Sequence, residues 1–259
     1  MRPALVTGPL TPVPNPIVLV AHGSRDPQAA AATRALVRSV AAARPGTDVR
    51  AAYLDHAGPR PGRVLADLQA AGYPRVSLVP LLLTEAFHGR VDIPQTVADA
   101  RADGLRIPVT ITEVLGPPVG TTAVDPLLIA GLSRRLAQAG SGFDAVVLAA
   151  AGTRSAPARQ TVAATAAAFG ATLGVPCAVG YASAAPPTAG AAVEALRRAG
   201  ARRVAVAAYF LAPGLLYETA VSSAREAGAV WAAAPLAGSV DIARLVLSRV
   251  DRAGALVSA

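Results

Sequence analysis

Ile17-Val-Leu-Val-Ala-His22-Gly-Ser-Arg-Asp-Pro27 is the stretch whose reading decides the fold. Ile17 to Ala21 has no polar alternation, the pattern of a strand covered on both faces and hence of a parallel sheet. The strand runs straight into a turn that carries a histidine, a glycine, a serine and an arginine. Open α/β sheets bind their ligands at the carboxyl ends of such strands. His22 therefore stands where a site is expected. Asp26 or Pro27 then opens a helix through about Ala43, with Leu36, Val37 and Val40 at helical spacing.

Outward from that stretch the pattern continues. Val49–Leu54 reads as a second strand ending at Asp55-His56, and Val64–Ala71 as a helix stopped by Gly72. Val76–Leu83 is an almost wholly apolar, central strand, followed by a polar loop and a helix over Gln95–Ala102. Val109–Leu115 is a fourth strand, and Pro126–Ala139 a further helix. Alternating strands and helices of this kind give a parallel sheet flanked by helices.

The pattern then starts again. In Ala145-Val-Val-Leu-Ala-Ala-Ala-Gly-Thr-Arg154, Gly152 falls at Gly23, Thr153 at Ser24 and Arg154 at Arg25; Tyr181 falls at Tyr53 and Gly200 at Gly72. A period of this length implies duplication of a whole α/β unit rather than a solenoid. The copies differ in their polar groups: His22 matches Ala151, Asp55 matches Ser183 and His88 matches Leu216. Only one half is armed. The expected organisation is a flexible leader over residues 1–15, an N-terminal domain over 16–140 carrying the site, and a degenerate repeat over 144–259.

All three histidines lie in the first half, each after a predicted strand: His22, His56 and His88. Asp55 and Glu85 follow strands too, so the topology brings all five to one sheet edge. Imidazole with carboxylate suits borderline divalent metals such as Fe, Co, Ni or Zn. Asp55 is read as a ligand or proton acceptor, or as a turn-shaping residue. Glu85 lines the site or is an exposed loop charge. Ser24 and Arg25 contact an anion at the helix N-terminus, or Ser24 caps that helix. Arg90 and Asp92 are placed to pair and fix the loop carrying His88. Cys177, Tyr217 and Glu218 fit a shared cleft and fit packing or surface roles equally.

Composition narrows the classes. The net charge of +8 comes entirely from arginine, since there is no lysine, and the arginines are scattered. With aromatics at 4%, base stacking has few candidates, so small polycarboxylates or phosphates fit the charge better than nucleic acid. One cysteine excludes an internal disulfide, and no apolar run approaches the roughly 20 residues of a membrane span. A cytoplasmic place is expected. Without lysine there is no P-loop; GxGxxG after a strand, HExxH and Gly-x-Ser-x-Gly are absent as well.

Ala21-His22-Gly-Ser-Arg-Asp-Pro27, the strand end Tyr53-Leu54-Asp55, and Val79-Pro-Leu-Leu-Leu83 leading to His88-Gly-Arg-Val-Asp-Ile-Pro94 resemble the small class II chelatases. The similarity is to the sirohydrochlorin chelatases of the CbiX and SirB type. It runs over most of 16–140 and returns, degenerate, over 144–235. The resemblance implies two chelatase-like α/β domains in tandem, with a cleft between them. It implies insertion of Co²⁺ or Fe²⁺ into sirohydrochlorin, towards cobalamin or sirohaem, with the metal as substrate and no organic cofactor.

By the same resemblance His22 and His88 are metal-binding and catalytic, and Asp55 matches the family's catalytic acidic residue, which assists deprotonation. Ser24, Arg25, Glu85 and Arg90 contact the carboxylate-rich substrate. Asp55 departs from the glutamate usual there, and Thr84-Glu85 from the small residues, Pro or Gly usual before the histidine loop. Internal pairing makes a monomer the expected state, with neither nucleic acid nor membrane as partner. The alternative is a homologue that binds metal or tetrapyrrole without turnover.

Overall fold

Residues 14–84 and 92–257 are described by a computed structural model. Most of the leader, and Glu85, His88 and Arg90, lie outside the described residues. Strand β1 (Ile17–Ala21) is buried from Ile17 to Val20, as its unbroken apolar run requires. It leads into helix α1 (Pro27–Ala43), capped by Asp26, whose carboxylate accepts the Gln28 N–H at 2.8 Å. There follow β2 (Val49–Tyr53), α2 (Pro61–Ala70), β3 (Val76–Pro80), α3 (Ile93–Ala102), β4 (Val109–Ile111) and α4 (Pro126–Ala139). The strands form one parallel sheet in the order β2-β1-β3-β4, with Ile17 paired to Val49 on one side and Ser77 on the other.

β1 and β3 are central, as their composition predicts, but β3 stops at Pro80 rather than Leu83. Proline has no N–H to offer a neighbouring strand. Beyond it the Leu82 carbonyl accepts the Leu115 N–H at 2.9 Å, and the Leu83 carbonyl is taken up by the other half. Leu81 and Leu83 thus serve the contact between halves, while Leu82 packs into the first half's outer core. β4 likewise ends at Ile111 rather than Leu115, and α2 begins at Pro61, ahead of the expected Val64.

The second half repeats this with β5 (Ala145–Ala150), α5 (Ala156–Leu173), β6 (Cys177–Tyr181), α6 (Ala189–Arg198), β7 (Val204–Tyr209), α7 (Leu215–Glu226) and α8 (Val240–Val257). Its sheet has the order β6-β5-β7, and where β4 would recur there is a single parallel bridge, Val206 to Ala232. Backbone detail repeats as well. Gly23 and Gly152 have φ of 97° and 95°, His56 and Ala184 have φ of 57° and 61°, and the peptides before Pro59 and Pro187 are both cis.

The fourth helix of each half is exchanged. α8 packs on α1, β3 and β4 of the first half, while α4 packs on α5 and β7 of the second. The two helices also touch each other: a Cβ added at Gly131 would lie 3.1 Å from Ile242 Cδ1. Leu36, Leu132, Leu136, Phe169, Leu245 and Val246 therefore belong to one continuous core between the sheets. Smaller cores cover the outer faces beneath α2 and α3, and beneath α6 and α7.

Charged contacts fix the exchange. Arg134 on α4 bonds the buried Asp241 at 2.6 Å, and Arg44 bonds Asp251 at 2.7 Å. Arg249 and Arg252 both bond Asp125, at 2.9 and 2.6 Å. No helix among the described residues is long and apolar enough to cross a membrane.

Candidate active site

The turns after β1 and β2 are stitched together by backbone. Leu54 N–H donates to the Ala21 carbonyl at 3.0 Å, and Asp55 N–H donates to the His22 carbonyl at 2.7 Å. Gly23 is required where they cross, since a Cβ there would fall 1.7 Å from the Asp55 carbonyl oxygen, at a φ of +97°. His22 and Asp55, 33 positions apart in the chain, are thereby held in one place by main chain alone.

His56 joins them. Its ring meets that of His22 edge to face, with centroids 6.3 Å apart and planes at 85°. The Asp55 carboxylate accepts the His56 N–H at 2.8 Å, and its other oxygen lies 3.5 Å from His56 Nε2. Arg60 stands 3.4 Å from the same carboxylate and donates to the Leu54 carbonyl. The His56 amide, opposed by partial desolvation and helped by the His56 and Arg60 charges, holds the Asp55 carboxyl below its usual range. It is an anion at neutral pH.

Two cavities meet at His22. One, about 200 Å³, lies between the β1–α1 turn and the segment Leu211–Pro213. The other, about 300 Å³, lies between the strand ends of the two halves, with His22 and Leu81–Thr84 on one side and Ala150–Thr153, Tyr181 and Tyr209 on the other. Both are lined mainly by apolar groups, so His22 is an imidazole at the margin of an otherwise apolar cleft.

Of the residues read as substrate contacts, Ser24 lines the smaller cavity, but its hydroxyl accepts the Asp26 N–H at 3.0 Å. It shapes the approach to α1, whose cap is Asp26. Arg25 is exposed beside it. Thr84, just ahead of the segment that holds Glu85, His88 and Arg90, lines the larger cavity. Among the described residues no three His, Cys, Asp or Glu side chains converge as a ready-made metal site.

The second half shows what the scaffold does without the polar groups. Ala151 lines the cleft opposite His22, and the Ser183 hydroxyl turns back to donate to the Ala151 carbonyl at 3.1 Å. Cys177 does not reach the cleft: it opens β6, at the far edge of the sheet, and burial pushes its thiol up to about 12. Tyr217 is engaged structurally, donating to the Ala233 carbonyl at 3.1 Å and meeting Phe210 edge to face.

Sequence reasoning missed Tyr209, whose buried hydroxyl donates to the Leu83 carbonyl at 2.8 Å across the halves. Burial raises its pKa, so it remains a neutral donor. The signal in the sequence was a hydroxyl-bearing residue where the repeat otherwise has Leu81.

Comparison with known proteins agrees with this architecture. A family model, CbiX, matches residues 16–139 and 145–253. A sirohydrochlorin cobaltochelatase of Methanococcoides burtonii is 27% identical over 108 residues, covering 39% of this chain and 82% of that protein. SirB from Bacillus subtilis, solved with Fe³⁺, superposes with a TM-score of 0.80 at 18% identity, over 94% of this chain and 97% of SirB. CbiX, described as the terminal enzyme for biosynthesis of siroheme in denitrifying bacteria, superposes at 0.60 with 19% identity, over 92% of this chain and 99% of its own. At these identities the structural likeness speaks for the fold.

Proposed function

This chain belongs to the CbiX family, and from that premise we propose that it is a sirohydrochlorin chelatase, inserting Co²⁺ or Fe²⁺ into the macrocycle in cobalamin or sirohaem biosynthesis. The observation that carries the reading is the asymmetry of the cleft. His22 faces Ala151 across a largely apolar cavity, and behind them the backbone that ties Asp55 to His22 is matched by one that ties Ser183 to Ala151. A flat macrocycle has apolar faces and a carboxylate rim; the faces suit the cavity walls and the rim suits surrounding arginines such as Arg25 and Arg90. Ser24 and Glu85 complete the proposed substrate contacts.

Insertion exchanges two pyrrole N–H protons for one divalent ion. The ion must be held by few, exchangeable ligands, and neutral imidazoles such as His22 and His88 meet that need near working pH. The same rings accept protons as the nitrogens bind metal. Asp55, anionic and close to His22, assists in deprotonation or holds the ion. The second half acts as the opposite wall, so one chain supplies a complete cleft and works as a cytoplasmic monomer. The relatives' names include both cobalt and iron, and imidazole with carboxylate suits either.

Anaerobic absorption spectroscopy tests this: sirohydrochlorin with Co²⁺ or Fe²⁺, with and without protein, and with His22→Ala and His88→Ala. Rapid spectral change lost in both variants is expected. Insertion no faster than without protein, despite a binding-induced shift, overturns the enzyme in favour of a binding protein.

A further inference from the structure

Asp55 and His56 have the spacing of two ligands on one ion. Donor atoms about 2.0–2.1 Å from a tetrahedral ion stand roughly 3.3 Å apart. Asp55 Oδ2 and His56 Nε2 are 3.5 Å apart, beyond ordinary hydrogen-bond length. Both side chains are reachable from water, with 52% and 36% of their surfaces exposed. The His22 and His56 ring centroids are 6.3 Å apart, wider than the roughly 5 Å that two imidazoles on one tetrahedral ion span. An ion on the pair therefore neighbours His22 without being shared with it, and reaches it only when a side chain turns.

The repeat separates what the backbone needs at this position from what the side chain adds. His56 and Ala184 share the left-handed conformation, at φ of 57° and 61°, which costs a residue with a Cβ about 1 kcal/mol. Alanine satisfies the same turn in the second half, so the backbone makes no demand for an imidazole. The imidazole occurs only in the half that carries His22. Next to it, Arg60 already contacts the Asp55 carboxylate at 3.4 Å, a position where a cation is stabilised.

We propose that Asp55 and His56 form a capture pair at the rim of the cleft, which takes a hydrated divalent cation from solvent and passes it to His22. This rests on the chelatase reading for its purpose but not for its test. The probe is Co²⁺ alone, titrated without tetrapyrrole and followed by calorimetry and by the visible bands of the bound ion. His56→Ala, which copies the alanine the second half carries at 184, and His56→Asn, which tolerates the left-handed conformation, should each weaken Co²⁺ binding on the order of tenfold.

Arg60→Gln should tighten binding severalfold by removing a competing cation, a gain that a merely structural role for this turn would not produce. Unchanged Co²⁺ affinity in both His56 variants overturns the capture pair. If the His56 variants lose affinity while the wild-type chain inserts no metal into sirohydrochlorin, the pair stands as a cation site and the chelatase reading falls.

Discussion

Arg249, carried by α8, places Nη1 2.9 Å from Oδ2 of Asp125, the residue that caps α4, with only 4% of its side chain exposed. The same guanidinium donates to the Val114 and Leu115 carbonyls at 2.9 and 3.2 Å. One side chain thus ties the last described helix of the second half to the strand end, loop and helix of the first.

Truncating it strands those acceptors. Removing one partner of a buried ion pair costs about 3–5 kcal/mol, and Arg252 keeps a second bond to Asp125 at 2.6 Å. Arg249→Ala is expected at the low end, about 3 kcal/mol, measured by urea unfolding. A loss below about 1 kcal/mol, the range of surface pairs, would show that the contact does not hold the helices.

The clasp also sets an acid limit. Burial pushes the Asp125 carboxyl up, but the Leu127 N–H and the Arg252 and Arg249 guanidiniums outweigh it and leave it below its usual value. Arg134 does the same for Asp241 against burial. With folded values depressed, the unfolded chain binds these protons first as pH falls. The stabilisation is complete above about pH 4 and is lost below it, as pH drops through the folded values. Unfolding midpoints measured from pH 6 to 3 should fall less steeply in an Asp125→Asn, Asp241→Asn double variant, starting from a lower value.

Gly23→Ala tests the crossing of the two turns. A methyl group there meets the Asp55 carbonyl at 1.7 Å, so the strand ends must separate. Loss of several kcal/mol is expected, together with loss of Co²⁺ binding in whatever fraction remains folded. A variant with wild-type stability and affinity would refute the placement of Asp55 by Gly23.

Tyr209→Phe removes a single hydroxyl and leaves the Leu83 carbonyl without its partner from the other half. A buried acceptor left unbonded costs about 1–3 kcal/mol. Because Leu83 precedes the segment carrying His88, metal insertion is expected to slow more than stability falls. Comparing insertion rate with unfolding midpoint in the same variant separates the two effects.

Strands β1 and β5, helix α1 and the duplicated turn were legible because the signals are local. Four apolar residues in a row, Asp26 before Pro27, and glycine at matching positions each carry their own physical reason. The exchange of α4 and α8 was not legible. An apolar stripe such as that of Ile242, Leu245 and Val246 says that a helix is covered, not which sheet covers it. β3 read too long for a related reason: Leu81 and Leu83 are apolar because they join the core shared with the other half, Leu82 because it packs into the first half's outer core, and burial alone does not distinguish a strand from such a segment. That His22 and Asp55 meet at one sheet edge was legible from their place after strands. The approach of His56 to His22 was not, since it depends on a left-handed residue that no spacing announces.

The helix exchange also orders events during synthesis. Every residue proposed to bind metal is translated before β5, yet the inner faces of β3 and β4 wait for α8, made only at Val240–Val257. At roughly 5–20 residues per second this leaves the first half incompletely covered on the ribosome for on the order of 5–20 s. The nascent chain therefore carries the proposed ligands long before it has a cleft, and a product stopped short of α8 would hold those residues without the frame that aligns them.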